Sequence, residues 1–213
     1  MPISFANLIA EVRQTRHLDA LVRQHMFQGT PFVFSALPSH YDLLRSHLSR
    51  ELRVPPEAIT VVGSCRLGYS LNPDHPGYPA TELSDVDVIV ADEALFDRLW
   101  GLLLRWRYPW HLRRWSDPER EWGTRLLENF ILGQCEPHRI RFARLGSTRH
   151  RRELLAFADQ WFSAFKSTSR YTELAGRNFK GRLYRSWQFA TMYHAFGLRH
   201  LAQVTPPPTT AEA

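Results

Sequence analysis

Apolar residues in the first quarter of the chain recur at three- and four-residue steps. Phe5, Leu8, Ile9, Val12, Leu18, Leu21 and Val22 share one stripe over residues 5–26, the pattern of an amphipathic helix. A second stripe, Tyr41, Leu44, Leu48 and Leu52, predicts a helix over residues 39–53, with Ser39 as N-cap and Pro55-Pro56 as its stop. The period then changes. Ile59-Thr60-Val61-Val62 is a short β-branched run, and residues 85–90 read Asp-Val-Asp-Val-Ile-Val, so both segments are expected as strands. Helical spacing returns over residues 93–106 and 118–132. A strand is expected at 140–143, a helix with a broad apolar face at 152–165, a strand at 179–183 and a closing helix over 184–201.

Strands interspersed with helices predict an α/β (α+β) fold, a small mixed sheet flanked by helices, with helical additions at its N- and C-terminal ends. The expected division is a helical segment over 1–56, the sheet-bearing domain with its closing helix over 57–203, and a tail over 204–213. That tail, rich in Pro and Thr, has nothing to bury and is expected to be disordered.

Composition narrows the function classes. With 213 residues and 44% hydrophobic content the chain can build one ordinary core. Its formal charge of +6 favours anionic partners such as nucleotides, nucleic acid or acidic protein surfaces. Two cysteines, Cys65 and Cys135, exclude a disulfide framework and a four-cysteine zinc site, and they suit a reducing, cytoplasmic setting as small buried hydrophobes. No apolar run approaches a membrane span, and the first residues do not read as a signal peptide. The histidines form no His-x-x-x-His or His-Glu-x-x-His motif.

The chemical signal lies within residues 61–92. Asp85 and Asp87 alternate with valines, so a strand of period two sets both carboxylates on one face of a sheet. Two carboxylates about 7 Å apart repel unless water or a cation neutralises them. An oxygen-rich site of this kind suits Mg²⁺ or Mn²⁺. Gly63-Ser64, directly after a strand, makes a turn whose amides and hydroxyl can approach phosphate oxygens.

A strand, Gly-Ser, a helix and a strand bearing Asp-x-Asp together resemble the nucleotidyltransferase superfamily with the DNA polymerase β-like fold. Gly63, Ser64, Asp85 and Asp87 carry the match, and Gly68 falls where minimal members have a second glycine. The resemblance is close over about thirty residues and loose from Ile59 onward. It implies nucleotidyl transfer from a nucleoside triphosphate to a hydroxyl of a protein, RNA or small molecule. The aspartates would be catalytic metal ligands and the turn the nucleotide cradle, with Arg66 and Ser84 as further nucleotide-binding candidates. Similar domains occur among bacterial antitoxin, antiphage-defence and resistance proteins.

Two departures qualify that implication. Twenty residues, 65–84, separate Ser64 from Asp85, more than the family usually has, so residues 69–82 read as an insertion at the rim of the site. The family's third carboxylate has no direct counterpart, since the strand expected at 179–183 carries Lys180 and Arg182; Glu136 and Glu173 are the remaining candidates. The alternative is therefore a catalytically degenerate domain that senses a nucleotide or docks nucleic acid or protein through its basic surface.

Other motifs read more plainly. Gly63 and Gly68 fit the outer glycines of a P-loop, but Tyr69 stands where that loop requires lysine. Trp100, Trp106, Trp110, Trp115 and Trp122 lie among arginines, a mixture suited to stacking on a single strand but more commonly explained by helix packing. Arg144 and His150 are spaced loosely like a helical RNase pair, with Gly146 and Ser147 breaking the helix that such a pair needs.

Overall fold

The computed structural model describes residues 3–108, 117–142, 149–168, 170, 174 and 176–206. Ser4 caps the first helix, α1 (Phe5–Gln14), by accepting a hydrogen bond from the Asn7 amide at 3.3 Å. The continuous helix expected over 5–26 is broken at Thr15, whose hydroxyl accepts from the His17 amide at 2.9 Å and so offers the backbone an alternative to the helical ladder. The chain resumes as α2 (Leu18–Val22) and runs into a π-turn at Arg23–Phe27. Helix α3 (Pro38–Leu52) starts on Pro38, with Leu37 and not Ser39 at the N-cap, because the proline ring presets the first helical φ and has no amide to leave unsatisfied. Arg53, at φ 58°, ends it.

Strand β1 (Ile59–Val62) leads through Gly63 into the one-turn helix α4 (Ser64–Leu67). Strand β2 (Val86–Ala91) follows the long loop, and Asp92 caps α5 (Glu93–Arg107) by accepting from the Leu95 amide at 2.7 Å. Helix α6 (Asp117–Ile131), the two-residue strand β3 (Gln134–Cys135), α7 (Arg149–Thr168), β4 (Phe179–Tyr184) and α8 (Trp187–Val204) complete the order. The strand expected at 140–143 is not formed: Pro137–Phe142 is a 3₁₀ turn, and the pairing falls earlier, where Gln134 and Cys135 meet Tyr184 and Leu183. Pro137 lacks the amide that would extend that ladder. Residue 143 and most of the tail, 207–213, lie outside the described residues.

The sheet is mixed, in order β1-β2-β4-β3, with β2 parallel to β4 and the outer pairs antiparallel. One face packs on α3, α5 and α7: Val61, Val86, Val88, Val90 and Leu183 share a core with Leu44, Leu48, Leu99, Leu154 and Trp161. A Cβ at Gly181 would lie 2.3 Å from Phe165 Cζ and 2.7 Å from Trp161 Cζ2, so only glycine lets α7 sit this close to β4. On the other face Val62, Ile89, Ala91 and Tyr184 meet Ala190 of α8, and α1 and α2 pack in turn on α8 through Leu8, Leu21, Leu198 and Leu201. The face of β2 covered by α8 therefore runs from Ala91 and Ile89, which are apolar, to Asp87 and Asp85, which lie beyond that apolar cluster. The expected mixed α/β class, with helices on both sides of the sheet, is what forms.

Candidate functional site

The site is built where β1 ends and β2 and β4 begin. Val62 pairs with Asp87, so the chain turns off β1 directly beside that carboxylate. Gly63 takes φ 69° and ψ −150°, a region essentially reserved for glycine. A Cβ there would stand 3.0 Å from Asp87 Oδ2, so the absence of a side chain lets the Gly63-Ser64 turn lie against Asp87. Gly68, at φ 89°, closes α4.

Asp85 and Asp87 share the sheet face that the alternation predicted, and the structure adds partners from β4. Lys180, in register with Asp87, forms an ion pair with Asp85 Oδ2, while Asn178 Nδ2 donates to Asp85 Oδ1 at 3.1 Å. The hydrogen bond to Asp85 raises the Lys180 ammonium above its ordinary value. Burial raises the Asp87 carboxyl, opposed by Lys180 and Arg182 and reinforced by Asp85 and Glu136. Cys65 Sγ donates to the Asp85 carbonyl at 3.2 Å, and burial raises its thiol, which keeps it a packing residue.

Glu136 lies one strand further on, bonded to Arg182 Nη2 at 2.5 Å and ion-paired with Arg139. Burial would raise its carboxyl, but the two guanidiniums outweigh it and the net shift is downward. Arg182 also donates to Gln134 Oε1 at 3.3 Å and lies 4.9 Å from the Tyr193 ring of α8. Across the sheet this polar face thus alternates in sign: Asp85 and Asp87 at the start of β2, Lys180 and Arg182 on β4, Glu136 beside β3. The Lys-Gly-Arg run at 180–182, with both cations on one face at period two, was the sequence signal for this row.

Of the other candidates, Ser84 Oγ accepts from the Thr81 amide at 3.0 Å and orders the end of the loop. Arg66 is buried and directed elsewhere, donating from Nε to the His25 carbonyl at 3.0 Å and from Nη1 to the Gly29 carbonyl at 2.7 Å. It fastens the π-turn region to α4. Arg177, absent from the sequence candidates, joins the loop to this corner by donating to the Thr81 carbonyl at 3.0 Å. The inserted loop is itself ordered: Ser70 bonds the Tyr78 carbonyl at 2.8 Å, Ala80 bonds the Gly68 carbonyl at 2.8 Å, and Tyr69 and Gly77 pack on Phe5 of α1. Burial pushes the Tyr69 hydroxyl up to about 12.

For a cation, the side chains at hand are Asp85 and Asp87. Among the described residues no three or more His, Cys, Asp or Glu groups converge as a metal-ligand cluster. Glu173, Arg144, Trp110 and Trp115 lie outside the described residues. Trp106 is buried and Trp100 packs against the same core, so these two serve packing. No described helix is long and apolar enough to cross a membrane. No family model, curated protein or solved structure matches this chain.

Proposed function

We propose that the protein is a nucleotidyltransferase-type enzyme that binds a nucleoside triphosphate with Mg²⁺ and transfers a nucleotidyl group to a hydroxyl of a protein, RNA or small molecule. One observation carries this reading: a glycine turn in a glycine-only conformation lies 3.0 Å, at the position of a Cβ, from the second carboxylate of an Asp-x-Asp strand. Such a close approach suits a phosphate cradle beside metal-binding aspartates. Mg²⁺ is commonly held by one or two carboxylates, water and substrate phosphates, so Asp85 and Asp87 fit as its protein ligands. When bound, the metal would supply charge stabilisation for the departing pyrophosphate. Gly63 gives the phosphates room, Ser64 offers a hydroxyl to their oxygens, and Lys180 keeps a cation at the mouth of the site. Calorimetric titration of ATP, GTP, CTP and UTP with Mg²⁺ tests the reading. Binding to wild-type protein that disappears in the Asp85→Ala, Asp87→Ala double variant is the expected result. Triphosphate binding indifferent to both substitutions sinks it.

A second reading rests on the Lys180–Asp85 ion pair and on the capture of Glu136 by Arg182 and Arg139, which leave the row without a spare third acid. In that case the domain binds without chemistry, and its basic surface docks nucleic acid. Affinity for single-stranded RNA that falls steeply with salt and survives both aspartate substitutions would favour it, because phosphate contacts release counterions.

A further inference from the structure

On the side of the molecule formed by α2 and α8, a groove of about 550 Å³ runs between the two helices. Its apolar floor includes Met192 and Phe196, which are 44% and 64% exposed although each is large enough to belong in a core. They stand four residues apart, with Arg199 three further on, so α8 presents them as a single stripe. Arg16 and Arg23 line the opposite wall, and Asp19 is the one acidic residue in the lining. The exposed arginines of α6 are matched within their own helix, Arg120 by Asp117 and Arg125 by Glu121. By contrast, Arg16, Arg23 and Arg199 have no side-chain hydrogen bond or ion pair among the described residues.

We infer that this groove docks an acidic amphipathic helix of a partner protein. Exposed apolar anchors at helical spacing, set between two rows of helix side chains, are the geometry in which one helix lays its apolar face into a groove. The three unmatched guanidiniums supply the charge complement for carboxylates flanking that face. A second copy of the chain is the less suitable occupant. A two-fold contact would set the same patch against itself and bring the arginines of both copies together.

The test selects, on the 213-residue chain, from a displayed library of 18-residue helical peptides, and maps the tightest binder through the methyl signals of Met192 and Ala195. Enriched peptides are expected to carry Asp or Glu beside apolar residues at i and i+4. The tightest binder should lose about tenfold in affinity with Phe196→Ser and a similar factor with Arg16→Glu plus Arg23→Glu. Both variants change exposed positions, and an unchanged thermal midpoint verifies their folding. Enrichment of neutral or basic peptides, a footprint elsewhere, or no enrichment would overturn the inference. So would a wild-type dimer in sedimentation that Phe196→Ser dissolves, which would assign the groove to self-association.

Discussion

Replacing Gly63 by alanine tests the turn on which the candidate site is built. At φ 69° and ψ −150° the backbone lies where an L side chain costs about 1–3 kcal/mol. The reduced entropy of the unfolded chain returns about 0.4–1 kcal/mol of that. The new methyl would meet Asp87 Oδ2 at 3.0 Å, a contact that a carboxylate relieves by moving a few tenths of an ångström. A net loss of about 1–2 kcal/mol follows, which in a chain of this size lowers the thermal midpoint by about 2–8 °C. Gly101, inside α5 with no atom within 4 Å of a built Cβ, provides the opposite case. Gly101→Ala should stabilise by about 0.5–1 kcal/mol, because alanine loses less backbone entropy in a helix. Urea unfolding of the two variants, compared at equal m-values, reads the difference directly. If Gly63→Ala is as stable as Gly101→Ala, the turn is not held in the glycine-only region and the cradle argument fails. If it is destabilised as expected and also loses metal-dependent triphosphate affinity that Gly101→Ala keeps, turn and carboxylate act as one site.

Two further outcomes follow from the packing and the charges. Gly181→Ala places a methyl 2.3 Å from Phe165 Cζ, and overpacking of this kind should cost about 1–3 kcal/mol in urea unfolding; Phe165→Val should recover part of it, and a neutral Gly181→Ala would refute the close packing of α7 on β4. Asp87 has its folded carboxyl raised above the unfolded 3.8, so the folded state binds the proton more tightly and the Asp87 contribution to stability falls as pH rises through that window. Asp87→Asn should therefore raise the urea midpoint at pH 7, with the gain shrinking as pH falls through the raised carboxyl value toward 3.8 and absent below it; an equal gain at pH 3 and pH 7 would show that burial of the charge is not its origin.

Local pattern made much of this fold readable. Strand β1, most of β2, α3 and α5 to α8 follow from periodicity, although Ser39 is not the cap of α3, and period two alone set Asp85 and Asp87 on one face. What escaped was decided at long range or by single atoms. The Thr15 hydroxyl broke a stripe that read as one helix. Strand β3 is two residues long and exists only because β4 offers Leu183 and Tyr184 to pair with. Arg66 looked like a phosphate ligand from its place beside the turn, yet the carbonyls of His25 and Gly29 claim it from about forty positions upstream. The parallel pairing of β2 with β4 spans the whole of α5, α6 and α7, so nothing local announced that Asn178 and Lys180 would close on Asp85.

That pairing also explains how two carboxylates persist side by side in the fold. Lys180 stands in register with Asp87 yet bonds Asp85, so one ammonium lowers the repulsion of both, while Arg182 does the same between Asp87 and Glu136. The arrangement sets a competition. A cation arriving alone at Asp85 must break the Lys180 pair and leave an ammonium facing a second positive charge. A triphosphate arriving alone would gain Lys180 but meet two half-buried carboxylates. Were both to arrive together, Asp85 and Asp87 would hold the metal and the released Lys180 ammonium would gain the phosphates. Under the nucleotidyltransferase reading, metal and triphosphate therefore strengthen each other's binding by the same factor, as linkage requires, and Lys180 is the residue through which that coupling runs.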